Sequence, residues 1–203
     1  MAETKKIAVL VSGGGTNLQA LIDAEKNGII NNGHISVVIS SKPGVYALER
    51  AEKAGIPHFV AEKKKFGDDT EAFGNEIKKY LDEYGAQVIV LAGFLSKLSE
   101  SLCEEYKDRI LNVHPALIPS FCGKGFYGLH VHEAALEYGV KVSGATVHLV
   151  DSEYDHGRII MQKAVEVLDG DTPETLQQRI MVQAEHIILP QAVEMLCKEI
   201  AGE

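Results

Sequence analysis

A chain of 203 residues, 45% hydrophobic and 24% charged, is long enough to bury one sizeable core and too ordinary in composition for wholesale disorder. Its formal net charge of −9 argues against a nucleic-acid face or an anionic membrane surface. Cys103, Cys122 and Cys197 are odd in number and widely spaced, giving neither a disulfide framework nor a paired zinc signature, so a reducing cytoplasm is the expected location.

In chain order, the apolar run at 7–11 is too short to cross a membrane, and no signal-peptide cleavage pattern follows it. Together with 35–39, 88–92 and 110–113 it reads as buried parallel strand, short and mostly aliphatic or β-branched, with 58–61 a weaker candidate. Segments 17–27, 45–54, 69–84 and 99–106 read as helices, with Gly28, Gly55 and Gly85 where C-terminal caps belong. The lysine run at 63–65, beside Glu62, reads as a solvated loop. A glycine-rich loop at 119–129 precedes a short helix at 130–138, and two strands at 142–150 and 159–167 are linked by a polar turn. The last helix has Thr172 to cap it, Pro173 at its first position and Glu174 at the positive end of its dipole. Leu176, Ile180, Ala184 and Ile187 form its apolar stripe, and Pro190 is expected to kink or interrupt it. Without an internal repeat or linker, one α/β domain spanning 1–203 is expected, an open, doubly wound, mostly parallel sheet.

Three clusters carry chemistry. Ser12-Gly13-Gly14-Gly15-Thr16-Asn17 joins the first strand to the first helix, where glycines let backbone N–H groups turn towards an anion such as phosphate. The Gly-Lys-Ser/Thr ending of a nucleoside-triphosphate loop is missing. So are the third glycine of a dinucleotide fingerprint, where Leu18 stands, and its acidic residue after the second strand, where Ser40-Ser41-Lys42 stands. A plain tight turn is the alternative, though Thr16 and Asn17 add side-chain donors.

The second cluster is Asn112-Val113-His114-Pro115, at the carboxyl end of a strand, where open α/β sheets bind ligands. Asn112 and His114 share a face, one able to donate a hydrogen bond and the other to move a proton near neutral pH. Taken alone, a strand-end histidine is more often structural than catalytic. The third is the carboxylate-rich turn at 151–157, after a strand carrying His148. An ordinary solvated hairpin would suffice, but a carboxylate brought against His114 would raise its pKa. Metal readings fail. His132-Glu133 lacks the second histidine of a zinc-protease helix, and His130 and His132 would diverge by roughly 200° on a helix. Cys122 has no local motif to support a reactive thiol.

With these clusters in this order, the chain resembles the folate-dependent glycinamide ribonucleotide formyltransferases of purine synthesis. The resemblance runs from Lys5 to about Leu196 and is carried most specifically by the segments at 12–18, 91–94, 112–115, 144–148 and 155–157. It implies a Rossmann-like formyltransferase fold and a formyl group passed directly from 10-formyltetrahydrofolate to the ribonucleotide amine. It implies Asn112, His114 and Asp155 as catalytic residues, with Asp155 keeping His114 protonated. Gly15, Thr16 and Asn17 would hold the phosphate and Glu185 the ribose. Leu95, Ser96, Lys97 and Leu98, with Asn112 and the turn Asp151, Ser152, Glu153, Tyr154 and Asp155, would form the folate pocket, where Phe94 also suits a flat ring.

Ser96 and Thr70 stand where many relatives carry arginines, which leaves Lys97 as the candidate contact for the folate's glutamate tail. The loop at 121–128, longer than in some relatives, could cover the site. The expected partners are these two small molecules, with no metal, nucleic acid or membrane, acting on a monomer or homodimer. Sister enzymes carry further domains, before the core in formyl-folate hydrolases and after it in tRNA formyltransferases, whereas here the first strand begins at Lys5.

Overall fold

The computed structural model describes residues 4–202. Strand β1 (Lys5–Val11) leads to helix α1 (Thr16–Lys26), then β2 (Gly33–Ser40), α2 (Tyr46–Lys53) and the short β3 (His58–Val60). A 3-10 turn (Lys63–Phe66) precedes α3 (Thr70–Tyr84), β4 (Val88–Leu91), α4 (Glu100–Glu105) and β5 (Ile110–His114). Helix α5 (Leu129–Tyr138) follows the glycine-rich loop. Then come β6 (Val142–Leu149), β7 (Ile159–Glu166), α6 (Pro173–Ile180), a π-helical turn (Met181–Glu185) and α7 (His186–Ala201). Boundaries fall close to those expected, because aspartate and serine caps mark the helix starts: Asp69 accepts from the Ala72 N–H and Ser99 from the Leu102 N–H.

All seven strands form one sheet in the order β3-β2-β1-β4-β5-β6-β7. The first five run parallel, and β6 and β7 are antiparallel to their neighbours. This is the α/β class expected. Side-chain alternation splits the parallel strands between two cores. Ile7, Val9, Val11, Val88 and Val90 face α1, α2, α5, α6 and α7, while Ala8, Leu10, Val37, Ile39 and Ile89 face α3 and α4. Strand order reverses between β1 and β4, so the loops leaving their carboxyl ends diverge and open a crevice.

Two expectations for the C-terminal helix need correction. Leu176, Ile180 and Ala184 are buried, but Ile187 is 40% exposed and Ile188 takes the next core position. In the π turn the His186 N–H reaches back five residues to the Met181 carbonyl, which delays the helical phase by about one residue. Pro190 does not interrupt the chain either. It lies buried inside α7, and the irregularity sits in the wider turn just before it.

The hairpin between β6 and β7 depends on close backbone approach. A Cβ built on Gly157 would lie 1.9 Å from the Leu149 carbonyl oxygen, and backbone cannot yield as a side chain can. Gly157→Ala should cost about 3 kcal/mol, which in a chain of this size lowers Tm by about 6–12 °C. An unchanged melting curve would show that the hairpin accommodates the methyl group freely.

Candidate active site

The crevice is a cavity of about 650 Å³, and every candidate site residue named from the sequence lines it. The loop after β1 forms one end. Gly15 adopts φ 73°, and a Cβ there would lie 2.7 Å from that of Ala47, so glycine satisfies both the left-handed backbone and the contact with α2. The Ala47 N–H holds the Gly13 carbonyl at 3.1 Å, and the Ser12 hydroxyl, 2.6 Å from that of Ser41, accepts from the Leu95 N–H at 2.9 Å. No side chain caps α1, so the amides of its first turn are open to an anion.

Asn17 Nδ2 donates one of its two N–H groups to Glu185 Oε2 at 2.6 Å, and its buried Oδ1 has no protein partner. Glu185 ends the π turn and is pushed into the cavity wall, where burial raises its pKa against the opposing Asn17 hydrogen bond. π turns recur where a helix must aim a functional side chain.

The centre of the cavity is built on β5. Asn112 is half-buried and His114 fully buried, and Asp155 reaches both from the turn after β6 with a left-handed φ of 52°. Asn112 Nδ2 lies 3.4 Å from Asp155 Oδ1, and His114 Nδ1 lies 3.6 Å from Asp155 Oδ2. Two segments of the glycine-rich loop complete the group. The Phe121 carbonyl accepts from His114 Nε2 at 2.8 Å, and the Gly123 N–H donates to Asp155 Oδ2 at 2.9 Å. The loop expected to cover the site is therefore docked against it.

Burial lowers the pKa of His114, and although Asp155 and the Phe121 carbonyl push it up, they do not offset the desolvation. This runs against the expectation that Asp155 keeps the imidazole protonated: desolvation outweighs the carboxylate and favours the neutral ring. With Nε2–H donated to Phe121, its basic lone pair is on Nδ1, facing Asp155. Burial pushes the Asp155 carboxyl up, but His148, His114 and the Gly123 N–H outweigh it and hold it below the ordinary carboxylate range.

Two histidines of the site were not singled out as functional in the sequence. His148 stands opposite Asn112 in the β5–β6 register. Its Nδ1–H donates to the Leu149 carbonyl at 2.7 Å, and its Nε2 lies 3.1 Å from Asn112 Nδ2 and 3.6 Å from Asp155 Oδ1, between the two site residues. Only strand register carries this signal. His132, on α5, is buried beneath the site with no partner for either nitrogen, and burial followed by the neighbouring His114 lowers its pKa to about 4. His130 points elsewhere, pairing with Glu133 at the surface.

The other end of the cavity is flanked by the segments at 95–98 and 151–155. Leu95 is 58% exposed while Leu98 is buried, and Lys97 Nζ lies 5.8 Å from the Tyr154 ring, so the two segments meet across the opening. Asp151 shapes the turn by accepting from the Glu153 N–H and pairing with His156, both at 2.8 Å. Phe94 is committed to the core, its ring parallel to Phe73 with centroids 6.2 Å apart, and leaves only part of its surface to the cavity. Among the described residues, no group of three or more His, Cys, Asp or Glu side chains is placed to hold a metal ion, and no helix is long and apolar enough to cross a membrane.

Residues 5–193 match the family model for formyl transferases. The chain belongs to the formyl transferase family. It is 40% identical over 195 residues to the chloroplastic phosphoribosylglycinamide formyltransferase of Arabidopsis thaliana, covering 96% of this chain and 66% of that one. It is 44% identical over 191 residues to the trifunctional purine biosynthetic protein adenosine-3 of Gallus gallus, covering 94% of this chain but 18% of the relative. Among solved structures, glycinamide ribonucleotide transformylase 1 from Symbiobacterium toebii superposes with a TM-score of 0.90 at 40% identity, over 98% of this chain and 90% of that one. That superposition takes in nearly the whole of this formyl transferase.

Proposed function

We propose that this formyl transferase transfers the formyl group of 10-formyltetrahydrofolate to the amine of glycinamide ribonucleotide, with residues 1–203 acting as one catalytic domain. The observation that carries the reading is one cavity with three chemically different parts. An uncapped helix start for a phosphate lies at one end, an Asn–His–Asp group at the centre, and an apolar cleft for a flat ring at the other end. The names of the relatives support the same substrates.

The chain's own groups suit a direct transfer. As the amine nitrogen bonds to the formyl carbon, the carbonyl electrons move to oxygen and make an oxyanion. Asn112 Nδ2 can donate to it by exchanging its weak 3.4 Å contact with Asp155. Neutral His114 accepts the amine proton on Nδ1, becoming an imidazolium beside the Asp155 carboxylate. The same proton then passes to the folate nitrogen as its bond to carbon breaks and the carbonyl re-forms. Asp155 matters most after His114 is charged. Gly15, Thr16 and Asn17 would hold the phosphate through backbone N–H groups, and Glu185 would hold the ribose. Leu95, Ser96, Lys97, Leu98 and the turn at 151–155 would receive the folate.

The test is spectroscopic release of tetrahydrofolate with the ribonucleotide present, absent, or replaced by glycinamide. Rapid release is expected only with the ribonucleotide, because anchoring its far end orients the reacting nitrogen. Equal rates in all three would indicate a hydrolase, and no release in any would indicate a binding protein.

A further inference from the structure

Arg50, on α2, lies behind the loop after β1 and is absent from the cavity wall. Its Nε–H donates to the Gly14 carbonyl at 2.9 Å and its NH1 to Gln19 Oε1 on α1 at 3.0 Å. The guanidinium carbon also lies 4.8 Å from the Tyr46 ring centroid. These contacts place a fixed cation between two helices, close enough to α7 that its charge adds to burial in lowering the His186 pKa. A Cβ on Gly15 would lie 3.4 Å from Arg50 Cδ, so the stem of this side chain is also part of the floor beneath the loop.

The arrangement settles which way the loop's peptide groups face. Ala47 holds the Gly13 carbonyl and Arg50 the Gly14 carbonyl, both from the α2 side. A peptide unit is planar, with its N–H opposite its C=O. Holding the Gly14 carbonyl on α2 therefore turns the Gly15 N–H to the opposite side, away from that helix. A guanidinium can hold Gly14 and Gln19 together because its N–H groups form a rigid fork, which a single ammonium cannot reproduce.

We propose that Arg50 is the positioning residue of the phosphate site, holding the peptide between Gly14 and Gly15 so that the amides of Gly15, Thr16 and Asn17 present themselves to an anion. It acts through the loop and makes no contact with substrate. The proposal rests on reading this loop as the phosphate anchor, and phosphate binding can be measured apart from formyl transfer.

The experiment is an NMR titration of the Gly15, Thr16 and Asn17 amides with inorganic phosphate, beside steady-state kinetics, in the wild type, Arg50→Met and Arg50→Lys. Arg50→Met keeps an unbranched stem for packing and removes the fork. Its phosphate Kd and its ribonucleotide KM should both rise about tenfold, as expected for losing a charge-assisted hydrogen bond, while kcat and the folate KM stay within about twofold of the wild type. Arg50→Lys should recover little of either constant. Gln19→Ala removes one anchor and no charge, and it should move both constants in the same direction, which keeps the test open if Arg50→Met does not fold.

Wild-type phosphate affinity in folded Arg50→Met, or in Arg50→Lys, overturns the proposal. So does a wild type whose loop amides ignore phosphate. A wild type that binds phosphate at these amides in an Arg50-dependent way, but transfers no formyl group, refutes the proposed reaction and supports the role of Arg50.

Discussion

Asn112→Ala should lower kcat by about two to three orders of magnitude, the usual effect of removing one oxyanion donor, a far larger change than in either KM. The side chain is half-buried at the cavity surface, and its amide bonds only His148 and Asp155, so its loss leaves the β5 ladder and both cores untouched. His114→Asn should be at least as damaging, because it removes the group that carries the proton from the incoming amine to the departing nitrogen. That variant also loses the bond to the Phe121 carbonyl, so its melting curve must be compared with the wild type before its kinetics are interpreted. The double variant should be little worse than His114→Asn alone, since groups serving one transition state are not additive. A folded Asn112→Ala protein with kcat within tenfold of the wild type would remove this amide from the mechanism.

The fold is legible in the sequence to the extent that short-range physics decides it. Aliphatic runs such as 7–11 and 88–91 can be buried on both faces only in a parallel sheet covered by helices, and Asp69, Ser99 and Thr172 mark where helices begin. The reading fails where hydrogen-bond pattern overrides spacing. Extrapolating 3.6 residues per turn through the π turn misplaces Ile187, because one extra residue there rotates everything after it.

The site divides along the same line. Asn112 and His114 are recognisable from their place at a strand end, and Gly15 from the turn it must make. His148 is not, since its role exists only once β6 lies antiparallel to β5 with that residue opposite Asn112. The charge state of His114 is misread for a related reason. A sequence displays the carboxylate that could raise a pKa, whereas the desolvation that lowers it exists only once the fold has buried the ring.

That balance makes Asp155→Asn the most informative variant. Burial holds the His114 pKa below its usual 6.5 and Asp155 opposes it, so removing the carboxylate charge should lower that pKa further. The sign fixes the pH–rate profile. If the reaction needs neutral His114, activity falls as pH drops through the His114 pKa, and in Asp155→Asn that acid limb moves to lower pH. The variant is also slower at every pH, by about a hundredfold or more, because the imidazolium formed during transfer no longer has its counter-charge. Asparagine retains one oxygen that can accept from the Gly123 N–H, so the loop's anchor can survive and the loss reports on charge. A titration of the His114 ring by NMR in both proteins, set beside the two pH–rate profiles, measures both effects. An unmoved His114 pKa with kcat reduced only a few-fold would leave Asp155 as a holder of the glycine-rich loop, and the proton route through His114 would have to be abandoned.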